Sequence, residues 1–277
     1  MFKKRRQQTF YLIVTSILMA LIILMAFIPY IGYIAIIPGA IEVTLIHIPV
    51  LIGLMILPFA HSLALGTTFG LSSLLVAFQR PTLPNIPFQN PLVSVLPRIL
   101  FVLVAFFLFY GLKWINKKFK YGSIVTYGIT ILFTIVVVML GFYYLGTNFD
   151  NNDFMVPLFM IIGAVILALM LTFYFFAFKK NDSNYATTPA TLILGTLFHT
   201  IFVLIALAIA KPSVLGDGNF LTFYLSVMTA NGLLEVIAAV LVGAPIVLVL
   251  QQRFKELRRD YPFSNDKDES VNHDSFN

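Results

Sequence analysis

The chain alternates long apolar runs with short polar or proline-bearing breaks, and the runs approach or exceed the about 20 residues that a bilayer-spanning helix needs. This pattern predicts eight helices, over residues 10–29, 43–57, 61–78, 92–113, 123–145, 157–178, 189–210 and 221–251. The second is short and holds Pro49, with Pro38-Gly39 just before it. Such interrupted segments suit a wet cavity, because backbone groups freed from the helix ladder can line it. The third carries Ser62, Gly66 and Gly70 at four-residue spacing, a face on which a neighbouring helix packs closely. The expected fold is therefore an all-α, polytopic helical bundle.

Few ionisable residues interrupt the runs, chiefly Glu42, His47, Arg98, His199 and Glu235. Charge in hydrocarbon costs a few kilocalories per mole, so such groups face a cavity or a partner. Counted along the helices, Arg98 lies about 10 Å below one surface, and Glu235 falls in the same leaflet at 1.5 Å per residue. Asn231, one turn before Glu235, shares its face. His47 lies near the outer end of the second helix, Asn90 at the mouth of the fourth, and His199 near mid-membrane on the seventh. Each has a plain structural explanation: an Arg98–Glu235 pair between helices, His47 bonding a carbonyl freed by Pro49, or His199 and Asn231 bonding across helices. Their shared depth favours one pocket opening outward.

Composition changes the picture by fixing class and orientation. Hydrophobic residues make up 59% of the chain and charged residues 11%, against about a quarter charged in a soluble domain. The apolar run Tyr11–Ile28 follows Lys3, Lys4, Arg5 and Arg6, but it is long and no small-x-small cleavage site follows closely, so a retained first helix is expected. Placing the N-terminus in the cytoplasm puts fifteen of the eighteen basic residues inside, with Arg80 and Lys211 outside, so both termini are expected inside. The pI of 9.4 thus reflects topology, and no nucleic-acid partner is expected. Residues 79–90, with Pro81, Pro84 and Pro87, form an external connector or a rim over a site. Residues 1–252 read as one transmembrane, substrate-binding domain, and 253–277 as a disordered cytoplasmic tail.

Enzyme chemistry finds little support. The chain has no cysteine, no Gly-Lys dipeptide for a phosphate-binding loop, no His-Glu-x-x-His and no Gly-x-Ser-x-Gly. Its four histidines are scattered, and neither a metal site nor a cofactor is expected.

Several segments together resemble a known family. Glu42-Val-Thr-Leu-Ile-His47-Ile-Pro-Val, Pro58 and Gly66-Thr-Thr-Phe-Gly70-Leu-Ser are similar to the second and third helices of the substrate-binding S components of energy-coupling-factor (ECF) transporters. Asn90-Pro-Leu-Val-Ser-Val-Leu-Pro-Arg98 resembles the start of their fourth helix, and Gly195-Thr-Leu-Phe-His199-Thr200 and Asn231-Gly232-Leu-Leu-Glu235 their last two. The likeness covers most of residues 8–115 and 188–252 and is greatest to the branch assigned to pantothenate. It implies a six-helix core that captures a vitamin from outside, associates with a transmembrane coupling protein and two cytosolic ATPases, and topples in the bilayer to deliver its ligand. The family's Ala-x-x-x-Ala docking face is here Ser16-x-x-x-Ala20. The likeness skips residues 120–187, which hold the additional pair 123–145 and 157–178. Neither of these helices contains a charge, so a peripheral, lipid-facing hairpin is expected.

On this reading Arg98 grips a carboxylate, Asn231, Asn90, His47 and His199 bond amide and hydroxyl groups, and Glu235 accepts from a hydroxyl or pairs with Arg98 in the empty state. A stand-alone proton-coupled carrier using Glu235 or His199 is the alternative. An integral-membrane enzyme or assembly protein is the more distant one.

Overall fold

A computed structural model describes residues 2–28, 31–37, 41–81, 85–147, 155–178, 183–210 and 232–260. The chain is a polytopic helical membrane protein. Among the described residues six helices are long and apolar enough to cross a bilayer: Gln7–Phe27, Phe59–Gln79, Pro91–Lys118, Gly122–Leu140, Ala186–Ala210 and Gly232–Arg253.

The first helix, α1, spans Phe2–Phe27. Two antiparallel strands follow, mostly in what was expected as the connector between the first two helices, with β1 at Tyr33–Ile37 and β2 at Ile41–Thr44, Tyr33 facing Thr44 and Ala35 facing Glu42. The predicted second helix therefore loses its first residues to β2. The cause is a run rich in β-branched Ile, Val and Thr on either side of Pro38-Gly39, which suits paired strands.

The second helix, α2, is only His47–Ile56, and His47 through Met55 are all buried. Pro49 lies in its first turn, where the missing N–H has no partner to lose. A helix apolar all round belongs in an interior, and α2 packs against α1, α3, α5, α8 and the last helix. With Leu51 and Leu54 fully buried, it is the axis of the core.

The third helix, α3 (Phe59–Gln79), starts behind Pro58 and is followed by a 3-10 turn at Ile86–Gln89. Next come a short α4 (Pro91–Ser94) and the long α5 (Leu96–Lys118), the predicted fourth helix in two pieces. The small-residue face of α3 receives α5. A Cβ on Gly66 would stand 2.5 Å from Val102 Cγ2 and 3.2 Å from the Arg98 carbonyl oxygen, and one on Gly70 would stand 2.8 Å from Val95 Cα.

The helices α6 (Gly122–Thr147) and α7 (Met155–Phe178) form the additional pair. They pack on each other, on α8 and, through α6, on α5. Ile124, Leu132, Val136 and Leu140 of α6 and Ile161 and Val165 of α7 are exposed, as a lipid-facing element requires. A polar seam holds the pair in place: Asn116 Nδ2 donates to Thr187 Oγ1 (2.7 Å), and Thr126 Oγ1 donates to Asn116 Oδ1 (3.0 Å).

The helix α8 (Ser183–Ala210) begins earlier than predicted and contains Pro189. The last helix, α9, is described from residue 232, so the predicted start at 221–231 lies outside the described residues. It contains a π-helical turn at Ala239–Gly243 and runs as Ala244–Asp260 to its end. The expected tail boundary at 253 thus falls within a helix whose last turns carry Arg253, Lys255, Arg258 and Arg259. Residues 261–277 lie outside the described residues.

Candidate functional site

Four of the residues expected from sequence come together from four separate helices: Arg98 on α5, His47 on α2, His199 on α8 and Glu235 on α9. All four are buried, with relative exposures of 4% for Arg98, 0% for His47, 3% for His199 and 5% for Glu235.

Arg98 is placed by the close α3–α5 packing at Gly66. Its Nη1 donates to the Val93 carbonyl (2.7 Å) and its Nη2 to Ser73 Oγ (3.5 Å). The guanidinium carbon lies 5.4 Å from the Phe69 ring centroid and 5.1 Å from that of Phe88, so aromatic faces of α3 and of the 3-10 turn flank the cation. The Phe88 carbonyl accepts from Ser94 Oγ, and Gln89 Nε2 donates to the Ala77 carbonyl (3.1 Å), which fixes this turn over the end of α3. The 3-10 turn at the end of the expected connector thus supplies Phe88 beside Arg98.

Phe69 also leads to the histidines. The His199 ring lies 5.4 Å from Phe69, 5.2 Å edge-on from Phe101 and 5.3 Å from His47, nearly parallel to it. His47 Nε2 is hydrogen-bonded to Thr196 Oγ1 (3.1 Å), not to a carbonyl freed by Pro49. Its ring lies against the Thr44 backbone, but Nδ1 makes no hydrogen bond of ordinary geometry. Neither ring nitrogen of His199 has a hydrogen-bond partner among the described residues. A buried polar group without a partner costs about 1–3 kcal/mol, so His199 is the side chain here that a ligand would satisfy.

Glu235 closes the cluster. Its Oε1 accepts from the Thr44 backbone N–H (2.8 Å) and its Oε2 from Thr200 Oγ1 (3.4 Å), which also donates to the Thr196 carbonyl (3.2 Å). The hairpin, α8 and α9 therefore meet at one carboxylate. Ligand atoms of His47, His199 and Glu235 all lie within 4.8 Å of one another. The charge of Arg98 acts on both His199 and Glu235. The arrangement has a cationic end at Arg98, a hydrogen-bond-accepting end at Glu235, and aromatic rings and imidazoles between them.

The other expected residues stand differently. Asn90 is exposed and its Oδ1 accepts from the Leu92 N–H (3.0 Å), so it is the N-cap of α4, and the structure does not bring it into the cluster. Asn231 lies outside the described residues. Glu42 lies on β2 opposite Ala35. Ser16 and Ala20 are exposed on the outer face of α1. His61 is bonded to Thr15 (2.9 Å) between α1 and α3.

Sequence reasoning missed Phe69, Phe88, Thr44, Thr196 and Thr200 as parts of the site. A signal existed for two of them. Thr196, His199 and Thr200 repeat at helical spacing on one face of an otherwise apolar helix. The others depend on contacts between distant segments.

No family model matches the chain. Over 156 residues it is 34% identical to the pantothenate transporter PanT of Leuconostoc mesenteroides subsp. mesenteroides, a match that covers 52% of this chain and 75% of that protein. At that identity over three quarters of the relative, the chain belongs to the PanT family.

Proposed function

We propose that the chain is the substrate-binding membrane subunit of an ECF-type, ATP-driven importer that captures pantothenate, or a similar small anionic vitamin, from outside the cell. The observation that carries this reading is the buried cluster of Arg98, His47, His199 and Glu235 in a relative of a pantothenate transporter. The guanidinium binds the vitamin's carboxylate through charge-assisted hydrogen bonds. His47 and His199 bond its amide and hydroxyl groups, and Glu235 accepts from a hydroxyl. Asn231, four residues before Glu235 in sequence, takes part as a further amide. Asn90 contributes at most its amide group, since its oxygen caps α4.

Both termini are cytoplasmic, so the site opens outward. Energy comes from a transmembrane coupling protein and two cytosolic ATPases, in keeping with the absence of a phosphate-binding loop motif from this sequence. The exposed Ser16 and Ala20 on α1 offer the coupling protein a close approach between helices. The α6–α7 pair lies outside the binding role.

Two measurements test the proposal. Mass spectrometry of the small molecule that co-purifies with the protein should find pantothenate, and Arg98→Ala should abolish its retention. Reconstituted protein alone should bind the vitamin without accumulating it, with accumulation requiring the partners and ATP. Uptake by the chain alone against a proton gradient would instead establish the stand-alone carrier.

A further inference from the structure

We propose that His47, His199 and Glu235 bind a divalent first-row transition-metal ion of the zinc, cobalt or nickel class. Two imidazoles and a carboxylate are a donor set suited to these ions. The three side chains are buried, at 0%, 3% and 5% exposure, and their ligand atoms already lie within 4.8 Å of one another. Donors around a tetrahedral ion at 2.0–2.2 Å stand about 3.4 Å apart, so closure needs a movement of about 1 Å, which side-chain rotation supplies. Two imidazoles on one such ion have ring centres about 5 Å apart. Those of His47 and His199 are separated by 5.3 Å with the rings nearly parallel, so one ring turns about its side-chain bonds for both lone pairs to meet the ion.

His47 and Glu235 have outer partners in place, and His199 has both ring nitrogens to offer. Thr196 engages His47 Nε2, so the ion would take Nδ1 in place of its contact with the Thr44 backbone, and both nitrogens of His199 are without hydrogen-bond partners among the described residues. Thr44 N–H and Thr200 Oγ1 hold the Glu235 carboxylate. Ligands oriented in this way by a further layer of hydrogen bonds are typical of metal centres. Arg98 opposes the ion electrostatically, although its own bond to the Val93 carbonyl and the flanking rings of Phe69 and Phe88 offset part of that charge.

The ion also answers a difficulty. The charge of a buried carboxylate repels an anionic ligand even where its oxygen accepts from a hydroxyl, whereas a dication on Glu235 turns the same cluster cationic. Three protein ligands leave a fourth position open, and an oxygen of the bound vitamin would take it. Only this last step rests on the function proposed above.

The test uses full-length, tag-free protein in lipid nanodiscs, stripped with a chelator and titrated with Co²⁺. The expected result is one equivalent bound, read from visible d–d absorption and displaced by Zn²⁺. The signal should vanish in His199→Ala and Glu235→Ala and persist in His61→Ala and His273→Ala. Thr196→Val keeps every ligand and should bind Co²⁺ about tenfold more weakly, so the proposal stays testable if a ligand variant misfolds. Arg98→Ala should retain the signal or strengthen it while losing the vitamin, which separates failure of the metal site from failure of the vitamin reading. Absence of the signal in the unaltered protein, its survival in His199→Ala, or unchanged affinity in Thr196→Val would each overturn the proposal.

Discussion

Gly66 of α3 and Arg98 of α5 meet backbone to backbone: a Cβ on the glycine would stand 3.2 Å from the arginine's carbonyl oxygen and 2.5 Å from Val102 Cγ2. In a bilayer, where helices gain little from the hydrophobic effect, such close approach is itself a main source of cohesion. It also determines where the guanidinium stands relative to Phe69 and Ser73, which belong to the same helix as Gly66.

Gly66→Val should therefore destabilise the protein by about 1–3 kcal/mol, the usual range for overpacking, and weaken vitamin binding as well. Thermal unfolding in detergent and a binding isotherm read the two effects. An intact site in a normally stable variant would separate Arg98 placement from this contact.

Arg98→Lys keeps the charge but loses the planar fork and its stacking between rings. A hydrogen bond to a charged group contributes about 1.5–3 kcal/mol, so pantothenate affinity should fall roughly tenfold to a hundredfold, and further in Arg98→Ala. Equal affinity of the lysine variant and the unaltered protein would remove the bidentate grip from the account.

Phe88→Ala removes one of the two ring faces beside the guanidinium. Cation–π contacts contribute about 0.5–2 kcal/mol. Affinity should drop by roughly threefold to thirtyfold, and Phe88→Tyr should restore most of it. Isothermal titration with pantothenate measures both, and a silent Phe88→Ala would reduce the rim to a connector.

Asn116 bonds Thr187 and Thr126, joining α5, α8 and α6. Asn116→Ala leaves those hydroxyls with fewer partners and should cost about 1–3 kcal/mol of stability, with vitamin affinity unchanged. A loss of affinity matching the loss of stability would show that the α6–α7 pair shapes the site after all.

Ser16→Trp and Ala20→Trp alter an exposed face of α1 and no residue of the cluster. Vitamin binding by the isolated subunit should be normal, while uptake with the coupling protein and ATPases should collapse. Undiminished uptake would place the docking surface elsewhere.

The extent to which this was readable in advance differs from element to element. The long helices followed from run length alone, because a bilayer imposes one on any spanning segment. The close face of α3 was visible as Ser62, Gly66 and Gly70, since small residues at helical spacing have one main use. The strands Tyr33–Ile37 and Ile41–Thr44 were not foreseen, because apolar runs this short beside Pro38-Gly39 carry no period that separates a strand from a connector. Asn90 shows a related ambiguity: capping and ligand binding both ask for an exposed amide beside a proline-started helix, and its Oδ1 accepts from the Leu92 N–H.

By itself the sequence determined that the chain crosses a membrane, that Arg98, His47, His199 and Glu235 were costly enough to need a purpose, and which helices carried them. Composition and hydrophobic period are local quantities, and these conclusions need nothing more. Only the tertiary structure decided that two histidines 152 positions apart along the chain lie ring beside ring, that threonines hold His47 and Glu235, and that Phe69 and Phe88 flank the arginine. Each of those contacts joins segments whose separation along the chain says nothing about their distance in space, which is set by the packing of α2 at the centre of the bundle.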